Sequence, residues 1–191
     1  MLHTLIAVMQ DRPGVLNRAV SLFRRRGFNI ESLAVASTET PGLSRMTVVV
    51  NRDDVTQVVS QLQRLVDIVS VHDVTFDRAV TQEMCLVRLG PAGHRLAEIL
   101  GLAREFDARV VDASPQAMVL AIMDAPATIS AFLDRVQRFG IEEITRSGRI
   151  AMSMTTAARG ARPSPNANTK EFGAIHPFQA QADGFADEEA A

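Results

Sequence analysis

Met9-Gln10-Asp11-Arg12-Pro13-Gly14-Val15-Leu16-Asn17-Arg18 is the junction from which the rest of the chain can be read. The apolar run Leu2 to Val8 before it has the character of a buried strand, and the residues after it fall at helical spacing. Pro13 is tolerated in a first helical turn, where its missing N–H has no partner to lose. The expected cap is Asp11 or Arg12, and Asp11 is chemically the better one. Gly14 has no Cβ, so another group can approach its backbone closely. Free amides at the positive end of a helix suit a carboxylate, and an Asp oxygen beside them suits an ammonium. The stretch is a candidate seat for a small zwitterion such as an amino acid. A plain capped helix start accounts for the same residues.

Downstream, Val15, Leu16, Ala19, Val20 and Phe23 form one apolar helical stripe. Arg24, Arg25 and Arg26 close that helix, where the dipole favours cations, and Gly27 stops it. Asn29 to Thr38 alternates as a strand, Glu39 to Gly42 is turn chemistry, and Ser44 to Val50 returns as a β-branched strand. Asp53 and Asp54 stand where a cap belongs, ahead of Val55, Val58, Val59, Leu62, Leu65 and Val66. Ile68 to Phe76 supplies a further strand. The order β-α-β-β-α-β is that of the ferredoxin-like split unit.

The order then repeats. Glu83 to Leu89 reads as a strand, Gly90 to Gly93 as a turn, and Leu96, Ile99, Leu100, Ala103 and Phe106 as a helix stripe. Arg109 to Ala113 and Ala117 to Met123 pair as a hairpin across Ser114-Pro115-Gln116. A helix from Pro126 to Gly140 follows, and Ile141 to Met154 completes the set. The expected fold is α+β: two tandem ferredoxin-like βαββαβ units, 1–78 and 82–156, with a boundary near Asp77 to Gln82. The second unit lacks the Asp-x-Pro-Gly arrangement of the first. Residues 157–191 carry only isolated large apolar side chains and are expected to be a disordered tail.

The 191 residues carry a net charge of −2 and are 47% apolar, which allows one large or two small domains with a real core. A slightly acidic chain with 5% aromatic residues and no Trp or Tyr is a poor match for a nucleic-acid binder. The single cysteine, Cys85, excludes an internal disulfide, and its apolar neighbours suit a buried inert thiol. Asp11 and Arg12 interrupt the first apolar run too early for a signal peptide, and no run is long enough to span a bilayer. The expectation is a soluble, cytoplasmic chain. His3, His72, His94 and His176 are scattered without metal-ligand spacing, and no nucleophile elbow, Walker loop or dinucleotide fingerprint is present. These readings favour a binding protein over a catalyst, with no catalytic or metal-ligating residues nominated.

Asp11-Arg12-Pro13-Gly14-Val15-Leu16 resembles the ligand loop of ACT domains, small modules that bind amino acids in metabolic regulation. Taken with Arg26-Gly27-Phe28-Asn29-Ile30-Glu31-Ser32-Leu33 and Leu43-Ser44-Arg45-Met46-Thr47, in that order, and with Arg146-Ser147-Gly148, the chain resembles the small regulatory subunits of acetolactate synthase over about residues 1–156.

That resemblance implies a separate, large catalytic subunit carrying thiamine diphosphate, Mg and FAD, with no cofactor on this chain. The large subunit condenses two pyruvates to acetolactate, or pyruvate with 2-oxobutyrate, in branched-chain amino-acid synthesis. The small subunit raises that activity and confers feedback inhibition, usually by valine. The resemblance also implies a homodimer through paired ACT domains, with the effector between two copies. The positions carried over are Asp11, Gly14, Val15 and Leu16 from one copy, and Asn29 and Ile30 from the other. Many relatives have Asn where this chain has Asp11, a change that bears on affinity and effector preference. A free-standing tandem ACT sensor acting on another enzyme or a transcription factor is the alternative.

Overall fold

The computed structural model describes residues 1–77 and 79–154, so the stretch expected as a tail lies outside the described residues. Strand alternation sets the first core. β1 (Leu2–Gln10) sends Leu5, Ala7 and Met9 to one side, where they meet Val15, Ala19 and Phe23 of α1 (Val15–Arg25). Val58 and Leu62 of α2 (Thr56–Gln63) join the same cluster. With β2 (Ile30–Ser37), β3 (Leu43–Asn51) and β4 (Ile68–Asp73), β1 forms an antiparallel sheet in the order β2-β3-β1-β4. Phe23, fully buried, lies edge-on to Phe28 with ring centroids 6.4 Å apart. Burying a side chain of that size is worth about 1.5–3 kcal/mol.

The second sheet repeats the plan around β5 (Ala79–Leu89), with order β6-β7-β5-β8. A 3-10 turn at Gly93–Arg95 leads into α3 (Leu96–Glu105), and the hairpin β6 (Arg109–Ala113) and β7 (Met118–Asp124) follows. α4 (Pro126–Val136) places Pro126 at its first position and packs Ile129, Phe132 and Val136 into a second core with Cys85, Val87 and Leu89. The fold is thus α+β, built from two ferredoxin-like antiparallel sheets with helices. Cys85 is fully buried, and burial pushes its thiol above the ordinary value.

Three expectations need correction. The strand expected from Glu83 begins four residues earlier, since β5 starts at Ala79. Ile141 to Met154 is not one strand but two, β8 (Ile141–Arg146) and β9 (Ile150–Ser153), which pair with successive stretches of β5. The break has a local cause. Ser147 both donates its amide to the Met84 carbonyl (2.9 Å) and accepts the Met84 amide on its hydroxyl (3.0 Å), and Gly148 at φ 80 turns the chain aside. The third correction concerns the head of α1 and is taken up with the site below.

β1 is buried on both faces, which explains its largely apolar character. Its second face carries Ile6, packed with Val74 and Ala151 of β9. His3 lies at the far end of the strand, buried, with Nδ1 3.0 Å from Asp73 Oδ2. Burial works against a charged Asp73, but hydrogen bonds from the Thr75 hydroxyl and amide and from His3 outweigh it, so the carboxyl stays below the ordinary 3.8. A carboxyl depressed in the folded state contributes stability above its unfolded value and loses that contribution as pH falls through the folded one. The melting-temperature gap between wild type and Asp73→Asn should therefore be full at neutral pH and shrink on acidification below 3.8, as followed by circular dichroism. A gap independent of pH would show that Asp73 acts by shape alone.

Candidate functional site

β1 is central in its sheet, so the loop after it emerges between the starts of β3 and β4. Backbone bonds tie it to both sides: the Gln10 amide donates to the Asp67 carbonyl (2.9 Å), and the Asp11 amide to the Gly42 carbonyl (2.8 Å). Asp11, Arg12, Pro13 and Gly14 are all exposed. The residue that caps α1 is Gly14, at φ 84, and no side chain donates or accepts a capping bond there. Asp11 and Arg12 are thus not the cap, and Pro13 precedes the helix instead of entering its first turn. The reason is geometric. The chain must reverse within four residues between two fixed carbonyls, and a left-handed backbone, natural for glycine, achieves it.

Of the amides expected to receive a carboxylate, those of Gly14 to Leu16, two remain open. The Val15 amide is engaged by the Arg12 carbonyl at 3.3 Å, whereas those of Gly14, Leu16 and Asn17 have no protein acceptor among the described residues. The first turn of α1 holds no acidic residue, leaving the positive end of the helix uncompensated. Val15 is 2% exposed and belongs to the core, so its side chain is no pocket wall in this chain. Leu16 is 37% exposed and faces outward.

Asn29 is exposed and donates to Glu31 Oε1 at 2.8 Å, while Ile30 is half-buried against the first core. Both follow the opposite end of α1, whose 11 residues span about 16 Å. One chain does not bring these two residues to the Asp11–Leu16 loop. β2, which Ile30 opens, is however an edge strand with one ladder unpaired.

One residue of the loop's surroundings escaped the sequence reading. Arg18, one helical turn after Gly14, donates from Nε (3.0 Å) and Nη2 (2.6 Å) to Asp67 Oδ2. Its free Nη1 lies 3.4 Å from where a Cβ on Gly14 would stand. The i to i+4 spacing from Gly14 was the available signal. Of the paired carboxylates expected to cap α2, neither is the cap residue, which is Val55. Asp54, just before it, accepts the Thr56 amide at 2.8 Å, and its hydrogen bonds with Thr56 hold its carboxyl below the ordinary value. Asp53 faces the N-terminal ammonium at 3.5 Å. Among the described residues, no cluster of three metal-ligating side chains occurs, and no helix is long and apolar enough to cross a membrane.

Comparison with known proteins follows the same division of the chain. Residues 5–70 match the family described as AHAS small subunit-like ACT domain. Residues 82–155 match the family described as small subunit of acetolactate synthase. A probable acetolactate synthase small subunit of Archaeoglobus fulgidus is 42% identical over 154 residues, covering 80% of this chain and 96% of that one. The acetolactate synthase small subunit of Mycolicibacterium smegmatis is 36% identical over 161 residues, covering 83% and 95%. Among solved structures, the acetolactate synthase small subunit of Thermotoga maritima superposes with a TM-score of 0.74 at 33% identity, covering 81% of this chain and 98% of that one.

Proposed function

The chain belongs to the small regulatory subunits of acetolactate synthase, and from that premise we propose that two copies bind a branched-chain amino acid, valine first among them, between their N-terminal units. A small subunit implies a catalytic one, and the chemistry of condensation belongs to that separate chain. Thiamine diphosphate, Mg and FAD are its cofactors, and this chain needs none of its own. Binding of the effector turns this subunit from an activator of the catalytic chain into a feedback inhibitor.

The observation that carries the reading is the head of α1: a left-handed Gly14, unengaged amides at Leu16 and Asn17, and the Arg18 guanidinium alongside. The effector's carboxylate takes the Leu16 and Asn17 amides and the helix dipole. Its ammonium meets Asp11 of the same copy and the Asn29 side chain of the second. Leu16 and Ile30 supply apolar contact for a branched side chain. The unpaired edge of β2 supports a side-by-side pairing that would bring Asn29 and Ile30 of one copy to the loop of the other. An inhibitor acts on the complex only through its differential affinity for two arrangements of that pair.

Calorimetry of the purified chain against valine, leucine and isoleucine, with sedimentation in parallel, tests this directly. The expected result is a dimer binding valine. A change of one methylene in the ligand should alter affinity by about 1–3 kcal/mol. A monomer, or a dimer that binds none of the three, would exclude the cleft. Activity of the reconstituted complex, titrated with valine, then tests activation and inhibition separately.

A further inference from the structure

We infer that Ser147–Gly148–Arg149, the break between β8 and β9, is the relay through which occupancy of the effector cleft reaches the second unit; this rests on the cleft proposed above. The segment lies against β2, the strand that Asn29 and Ile30 lead into. The Arg149 amide donates to Ser32 Oγ at 2.7 Å, and Arg149 Nη1 donates to Thr4 Oγ1 of β1 at 3.0 Å. Gly148 approaches so closely that a Cβ on it would stand 3.0 Å from Ser32 Oγ and 3.2 Å from the Leu33 carbonyl oxygen. At its other end the segment is fixed to the second sheet by the reciprocal Ser147–Met84 bonds. Next to it, Arg146 Nη1 lies 3.3 Å from Oε2 of Glu83, a carboxylate only 7% exposed.

Two further features make this contact a candidate for motion and not only for adhesion. The pairing of β2 with β3 shifts register between Ile30 and Ser32, so the strand carries an irregularity between the effector residue and the relay residue. An irregularity of this kind disrupts the ladder locally and bends the strand. Beside the segment lies a cavity of about 450 Å³, lined from one side by Glu31 and Leu33 and from the other by Pro126 and Ser130. The segment borders open space on that side, with none between Gly148 and the strand. A displacement of β2 at Ser32 must therefore move Arg149 and, through Ser147, β5.

The test uses the reconstituted complex with Arg149→Ala, Arg149→Lys and Gly148→Ala. In Arg149→Ala, calorimetric affinity for valine and stimulation without valine should stay within about threefold of wild type, while inhibition at saturating valine falls below about a third of its wild-type extent. Arg149→Lys, which keeps a donor for Thr4, should recover most of the inhibition. Gly148→Ala should uncouple at least as strongly, because its side chain pushes the segment off the strand. Wild-type inhibition in both Arg149→Ala and Gly148→Ala overturns the relay and leaves the cleft standing. Equal loss of valine affinity and of inhibition also overturns it, since the segment would then support the cleft itself. Failure of the wild-type chain to bind valine removes the cleft, and the relay with it.

Discussion

Gly14→Asp should yield a complex that is still stimulated by the small subunit yet no longer inhibited by valine. The backbone at Gly14 stands at φ 84, a conformation that disfavours side chains, though Asp is among the more tolerant residues there. The strain costs about 1 kcal/mol, small beside a typical domain stability of roughly 5–15 kcal/mol, so the fold survives. The new carboxylate would arise 3.4 Å or so from Arg18 Nη1, measured from the Cβ position, and within reach of the open Leu16 and Asn17 amides. It would occupy the place proposed for the effector's own carboxylate and put a like charge beside it. Losing two hydrogen bonds to a charged group costs about 3 kcal/mol or more, equivalent to at least a hundredfold in affinity. Calorimetry with valine and inhibition curves of the reconstituted complex would show it. Full valine sensitivity in this variant would mean that the effector sits elsewhere.

Phe132→Ala should destabilise the second unit while leaving the first one protected. Phe132 is fully buried, with Phe106 at a centroid distance of 5.5 Å, and belongs to a core distinct from that of Phe23. Truncating a buried Phe costs about 3–5 kcal/mol, through lost burial and the cavity left behind. If 1–78 and the following unit are separate domains, hydrogen exchange should accelerate in β7, α4 and the Glu83–Leu89 part of β5, while β1 and β3 exchange as in wild type. Equal acceleration in both sheets would mean one cooperative body and no domain boundary near residue 78.

The order of elements was legible because periodicity is local. β1 announced itself by a largely apolar run, α1 by one stripe ending in arginines and Gly27, and α4 by Pro126 at its head. The candidate site was legible only in part. Asp11, Gly14 and Leu16 do surround one helix start, but the cap was misread because Gly42 and Asp67, far along the chain, hold the loop in place. Val15 has the same composition signal as a pocket residue and a core residue, and packing made it core. Arg18 was missed because its geometry depends on Asp67, and the 147–149 break because it depends on Met84 and on the turn that Gly148 permits. Contacts across long stretches of chain leave no periodic trace.

The packing of Ile6 and Val74 against Ala151 of β9 has a practical side. A fragment stopping at residue 77 keeps every strand of its own sheet but loses β9 and the Arg149 contact, laying bare Ile6 and the Thr4 hydroxyl. Such an excised piece should be sticky, clumping at the concentrations needed for spectroscopy. Removing only the stretch from 155 onward leaves that cover in place and makes the better starting material.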